Sequence, residues 1–159
     1  MSLSPANVRN ILFVCSGNIC RSPMAAGLLK KLLQENSIGG MEIGSAGLTP
    51  LPGSPASYNA IRVAQENSIC LLKHEARLVT PELIDKADLI LVMDNAQRQQ
   101  LISRYPQASD KVLLLRRFAR FGSQDRPIHD PYGINIEAYR FCFEDIKECV
   151  ESLLEWLRA

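Results

Sequence analysis

Eight residues, Cys15-Ser16-Gly17-Asn18-Ile19-Cys20-Arg21-Ser22, put a nucleophile, a hydroxyl and a permanent cation into one short segment. The spacing is a cysteine, five residues, then an arginine. A short loop between a strand end and a helix start aims several backbone N–H groups into one concavity, and the helix N-terminus adds its positive end. Such a concavity suits one tetrahedral oxyanion. Gly17 and Asn18 are residue types that tolerate left-handed backbone. Arg21 brings a planar fork that grips two phosphoryl oxygens. A cysteine at the floor of this nest is favoured as the thiolate and stands as a nucleophile in line with a bound phosphorus. Ser22 is placed to donate to that sulfur and ease its departure when a phospho-enzyme is hydrolysed. Nucleotide binding of the G-x-x-x-x-G-K-[ST] kind is excluded: that pattern is absent, and this loop has one glycine and no lysine.

An isolated C-x5-R is weak evidence, because free cysteine is among the most buried residue types and a strand-end cysteine is explained as well by packing. The surrounding elements reverse that balance. Asn10-Ile-Leu-Phe-Val14 is too short for a helix and rich in strand formers. After the loop, Met24, Ala25, Leu28, Leu29, Leu32 and Leu33 recur at helical spacing, with Pro23 in the first turn. Further strands are expected at Met41–Ser45, Asp88–Met93 and Val112–Leu115. Helices are expected at Pro55–Asn67 with Ser54 as cap, Thr80–Lys86, from Asp94 onward with Gln97 making a reciprocal capping bond, and Ile136–Arg158. Alternating strands and helices predict a three-layer α/β/α domain over residues 1–159, built on a four-stranded parallel sheet. Residues 1–9 are expected to be a flexible lead-in. Ligands of such sheets bind beyond the carboxyl ends of the strands, so the loops after Val14, Ser45, Met93 and Leu115 are where a site belongs.

Composition narrows the classes. Lys plus Arg is 18 against 17 for Asp plus Glu, a net charge of +1, which excludes the broad positive footprint of a nucleic-acid binder or polybasic membrane anchor. The longest apolar runs, Ile11–Cys15 and Leu89–Met93, cannot span a bilayer. Five cysteines is an odd count in a chain long enough to fold without staples, so a disulfide framework is not expected and a cytoplasmic location is.

The stretch V-C-S-G-N-I-C-R-S-P-M-A resembles the signature of the low-molecular-weight protein tyrosine phosphatases, and the resemblance extends over nearly the whole chain. Ser45-Ala-Gly47, Lys73-His74-x-Ala-Arg77 and Asp88-Leu-Ile-Leu-Val-Met-Asp94 occur in that family's order. His129-Asp130-Pro131-Tyr132-Gly133 is similar to its D-P-x-G acid loop. The resemblance implies that Cys15 attacks phosphorus, Arg21 clamps the oxygens, and Asp130 protonates the leaving group and then activates water. It implies that Ser16, Gly17, Asn18, Ile19, Cys20 and Ser22 form the phosphate loop. Ser45 and His74 would support it, and Tyr132 would line the cleft mouth. It further implies that Cys20 pairs reversibly with Cys15 on oxidation. No cofactor or metal is implied. The expected partner is a phosphotyrosine-containing protein, a bacterial tyrosine kinase being one such, met by a monomer or weak dimer without nucleic acid or membrane.

The remaining candidates read as structural. A zinc site at Cys15 and Cys20 would need His74 or His129, neither at ligand spacing. Cys142 and Cys149 share a face of the last helix and fit its leucine-lined stripe; Cys70 is also expected in the core. Arg116, Arg117, Arg120 and Arg126 form a basic cluster expected to be a solvated face. Ile19 offers an apolar wall to a phenyl ring and no hydrogen bond to a guanidinium, whereas relatives acting on phosphoarginine resemble this chain but carry threonine there. The expected activity is therefore hydrolysis of protein phosphotyrosine. Protein-arginine phosphatase is the alternative, followed by an arsenate reductase-like or a non-catalytic phosphate-binding or redox-sensing relative.

Overall fold

The computed structural model describes residues 3–159. Four strands, β1 (Asn10–Cys15), β2 (Glu42–Gly47), β3 (Leu89–Val92) and β4 (Val112–Leu114), form one parallel sheet in the order β2-β1-β3-β4. Helices α1 (Arg21–Glu35), α2 (Tyr58–Glu66), α3 (Pro81–Lys86), α4 (Asn95–Arg104) and α5 (Ile136–Leu157) provide the crossovers and cover both faces. The three-layer α/β/α architecture expected from the alternation is the one observed.

β1 is the central element, and its side chains serve two cores by simple alternation. Ile11, Phe13 and Cys15 join α1, α2 and α5 on one face; Leu12 and Val14 join Ile84 of α3 and Leu101 of α4 on the other. Burial on both faces explains why this run is continuously apolar. The chain leaves β1 for β2 on one side and later crosses to β3 on the other. The carboxyl end of β1 is therefore the switch point of the sheet, where a crevice opens between diverging connections. Cys15 stands there, opposite Gly47 of β2. A Cβ on Gly47 would lie 2.8 Å from the Ser16 carbonyl oxygen, so this strand end must be glycine for the loop after β1 to pass.

Several sequence expectations are corrected. Residues 1 and 2 lie outside the described residues, but the lead-in is anchored before β1: Pro5–Asn7 makes a 3-10 turn and Val8 is fully buried. Ser54 does not cap α2. Gly53 N–H donates to Ala76 O and Ala76 N–H to Ser54 O, while Ser57 N–H donates to Ile19 O, so this backbone is committed to neighbouring loops and the helix starts at Tyr58. Cys70 is exposed, because Ile69 and Leu71 on either side take the inward positions. The arginine cluster is only partly a solvated face. Arg116 is 2% exposed, its Nη1 lies 2.8 Å from Asp145 Oδ1, and Arg126 bonds the same carboxylate.

Candidate active site

Residues 16–20 connect β1 to α1 as a loop, and carbonyls from the strand end through this loop are turned outward. Cys15 O accepts from Leu48 N–H, Ser16 O from Thr49 N–H at 2.9 Å, and Ile19 O from Ser57 N–H at 2.9 Å. Asn18 O accepts from His74 Nε2 at 2.6 Å. With four carbonyls engaged outside, the loop's amides are left to the concavity, an arrangement that concentrates positive potential. Asn18 adopts φ 56, the left-handed region where asparagine is tolerated; Gly17, expected to share that conformation, has no positive φ.

Asn18 is fully buried and its carboxamide holds three elements together. Its Nδ2 donates to Ser22 Oγ at 2.8 Å and Ser45 Oγ at 3.0 Å, and its Oδ1 accepts from Arg77 N–H at 3.0 Å. Ser22 Oγ in turn lies 2.9 Å from Cys15 Sγ. Burial holds the His74 imidazole below its ordinary pKa, assisted by the charges of Lys30 and Arg77 and opposed by its bond to the Asn18 carbonyl. A neutral ring with its proton on Nε2 satisfies that carbonyl.

The Arg21 side chain is 5% exposed and lies at the start of α1, where a cation needs partners. Its Nη1 donates to Ile128 O at 2.8 Å and lies 3.6 Å from Asp94 Oδ2; its Nη2 lies 3.7 Å from Asp130 Oδ2. Asp130, about half exposed, accepts from Tyr132 N–H at 3.1 Å, an Asx turn that holds the carboxylate toward the loop. A cleft of about 240 Å³ is lined by Cys15, Ser16, Gly17, Ile19, Cys20, Arg21, Asp130 and Tyr132, with Thr49 added. Asn18, Ser22, Ser45 and His74 lie beneath it. Every site residue expected from the sequence is thus gathered within one assembly.

Cys20 is buried beside Ser57 Oγ at 3.2 Å and Tyr139 OH at 3.5 Å, and burial raises its thiol pKa against those two bonds. Burial also pushes Cys142 and Cys149 up to about 12, consistent with thiols packed in the core stripe of α5.

Sequence reasoning assigns no role to Asp94, Gln97, Thr49, Arg77, Ser57 or Tyr139 in this site. Asp94 caps α4 as expected, yet its second oxygen faces Arg21. Gln97 does not make the reciprocal bond to the cap residue: Oε1 accepts from Met93 N–H at 2.9 Å and Nε2 donates to Ser16 Oγ at 3.2 Å, linking β3 to the loop after β1. The only local signal is the position of Asp94 and Gln97 at a strand's carboxyl end.

The sequence model described as low molecular weight phosphotyrosine protein phosphatase matches residues 10–159. The chain belongs to this family. It is 38% identical over 152 residues to a probable low molecular weight protein-tyrosine-phosphatase EpsP from Ralstonia nicotianae, covering 96% of this chain and 98% of that protein. It is 37% identical to a protein-arginine-phosphatase from Geobacillus stearothermophilus, covering 94% of this chain and 96% of that one. In structure it resembles a YwlE mutant from Bacillus subtilis with TM-score 0.88 at 31% identity, over 95% of this chain and 99% of that chain. Within this phosphatase family, then, the cleft at the end of β1 is the feature to be explained. Among the described residues no cluster of three His, Cys, Asp or Glu could hold a metal ion, and no helix is long and apolar enough to cross a membrane.

Proposed function

We propose that this protein hydrolyses phosphotyrosine in protein substrates through a cysteinyl-phosphate intermediate, in the cytoplasm, with a bacterial tyrosine kinase among its substrates. The observation that carries the reading is the meeting of Cys15, Arg21 and Asp130 in one cleft, with Arg21 3.7 Å from Asp130. The phosphoryl group sits in the loop, its oxygens held by the amides and by Arg21. Cys15 Sγ attacks phosphorus; the S–P bond forms as the P–O bond to the tyrosyl ring breaks, and Asp130 gives its proton to the departing oxygen. Asp130, now a carboxylate, takes a proton from water as that water attacks phosphorus. The S–P bond breaks, inorganic phosphate is released, and the sulfur leaves as a thiolate stabilised by the Ser22 hydroxyl.

Ile19 and Tyr132 give the cleft apolar surface against which an aromatic ring loses water at roughly 25 cal/mol per Å². Similarity to a protein-arginine-phosphatase supports a second reading, phosphoarginine as substrate. Incubating the full chain with phosphotyrosine and phosphoarginine peptides at equal concentration, in the presence of chelator, tests both. The expected result is faster release of phosphate from phosphotyrosine, abolished in Cys15→Ser. Faster release from phosphoarginine would favour the second reading. Turnover by Cys15→Ser would overturn the mechanism.

A further inference from the structure

The acid loop poses a mechanical question. Residues 119–135 contain no helix or strand, yet Asp130 must stand within hydrogen-bond reach of a leaving oxygen. The loop is held at the buried Ile128, whose N–H donates to Met93 O at 2.9 Å and whose carbonyl accepts from Arg21. The limb leading to it is held from α5. Asp145 has a side chain only 7% exposed and receives both Arg116 and Arg126. Arg126 forms a two-pronged pair, Nη1 to Oδ2 at 2.8 Å and Nη2 to Oδ1 at 3.0 Å. Arg116 holds the start of the same limb through the Phe121 and Ser123 carbonyls, each at 2.8 Å.

We infer that Arg126 is a positioning residue for Asp130, setting the stance of the acid loop through its paired bonds to Asp145. The inference rests on the assignment of Asp130 as general acid. Arg126 precedes Asp130 by four residues, with Ile128 between them, so the chain entering Asp130 is held first at a carboxylate on α5 and then at Met93 after β3. Two parallel N–H···O bonds fix direction as well as distance, which a lysine ammonium cannot do. Asp145 is itself immobilised by Arg116, a cation that stays paired when Arg126 is removed. The ion pair therefore acts on the loop without being required for the core. A displacement near 1 Å at a reacting group costs on the order of 10²-fold in rate, so a modest loosening of this limb is measurable.

The experiment compares p-nitrophenyl phosphate, a good leaving group, with phenyl phosphate, a poor one, in the full chain. Arg126→Ala is expected to lower kcat/KM, which reports only the steps up to departure of the leaving group, about 10-fold for phenyl phosphate and less than about 3-fold for p-nitrophenyl phosphate, with vanadate inhibition unchanged. Arg126→Lys is expected between wild type and alanine. In an Asp130→Asn background, Arg126→Ala should add no further selective loss, because both act through the same proton. Equal losses on the two substrates, no loss, or full additivity with Asp130→Asn overturns the inference. Should Arg126→Ala fail to fold by circular dichroism, Arg126→Lys takes its place in the same comparison, and the same results support or overturn the inference. A leaving-group effect in Asp130→Asn that is absent from the Arg126 variants sinks the inference alone. Its absence from Asp130→Asn as well removes the acid assignment.

Discussion

The carboxamide of Asn18 donates to Ser22 Oγ across 2.8 Å, and that oxygen lies 2.9 Å from Cys15 Sγ, so the hydroxyl proton goes to the sulfur whenever the sulfur is a thiolate, which can only accept. The direction is fixed because Arg77 N–H donates to the other end of the carboxamide, which excludes the flipped orientation. A single buried amide thus holds the Ser22 oxygen in place beside the Cys15 sulfur. Hydrogen bonds to charged groups are worth about 1.5–3 kcal/mol, and this one matters most when sulfur departs as an anion.

Ser22→Ala is therefore expected to slow breakdown of the cysteinyl-phosphate more than its formation. Stopped-flow measurement with p-nitrophenyl phosphate should retain the burst of nitrophenol while the steady rate falls roughly 10- to 100-fold, the factor equivalent to such a bond. Equal slowing of both phases would mean that Ser22 only shapes the loop.

Ile19→Thr should shift the ratio of kcat/KM for phosphotyrosine over phosphoarginine peptides toward phosphoarginine. The isoleucine lines the cleft and offers only carbon; threonine offers a hydroxyl and more room. The expected change is about 10-fold, near the lower end of the roughly 1–3 kcal/mol that a missing methylene is worth in a pocket. An unchanged ratio would move the discrimination to other residues of the cleft.

His74 predicts a pH dependence of stability. Its folded pKa lies below the ordinary 6.5, so between the two values the unfolded chain binds more protons and stability rises with pH. The contribution is complete above about pH 6.5 and is lost as pH falls through that value toward the folded pKa. Urea midpoints measured from pH 8 to pH 5 should fall on the acid side in the wild type and fall less in His74→Gln, whose amide can still donate to the Asn18 carbonyl. Parallel curves for the two proteins would remove His74 from this role.

Arg116→Ala should destabilise the fold by about 1–3 kcal/mol, the cost of leaving buried polar groups without a partner. It leaves Asp145 with only the partly exposed Arg126 and frees the carbonyls of Phe121 and Ser123. Denaturant unfolding at neutral pH checks this; a loss below about 1 kcal/mol would show the cluster to behave as ordinary surface charge.

The loop from Cys15 to Ser22 is legible in the sequence because its residues are local. Cys15, Arg21 and Ser22 fall within eight residues, between an apolar strand and a helix whose pattern needs no partner to be read. Asp130 is legible only through resemblance, since nothing in the long stretch after Ser22 says that its loop returns to Cys15. The arginine cluster misleads for a related reason: charge looks solvated until the carboxylates that face it are known, and Asp145 lies 29 residues from Arg116.

Strand and helix periodicity, the cysteine-to-arginine spacing and the parallel α/β order follow from interactions between near neighbours, so the chain's own order carries them. The meeting of Ser22 and Ser45 at the Asn18 amide, the reach of Gln97 to Ser16, the burial of Arg116 and the pairing of Arg126 with Asp145 do not. Each depends on a direction in space between elements brought together only by packing of both faces of the sheet. Spacing along a chain supplies distance but not orientation, and hydrogen bonds and ion pairs are strong only where the orientation is right.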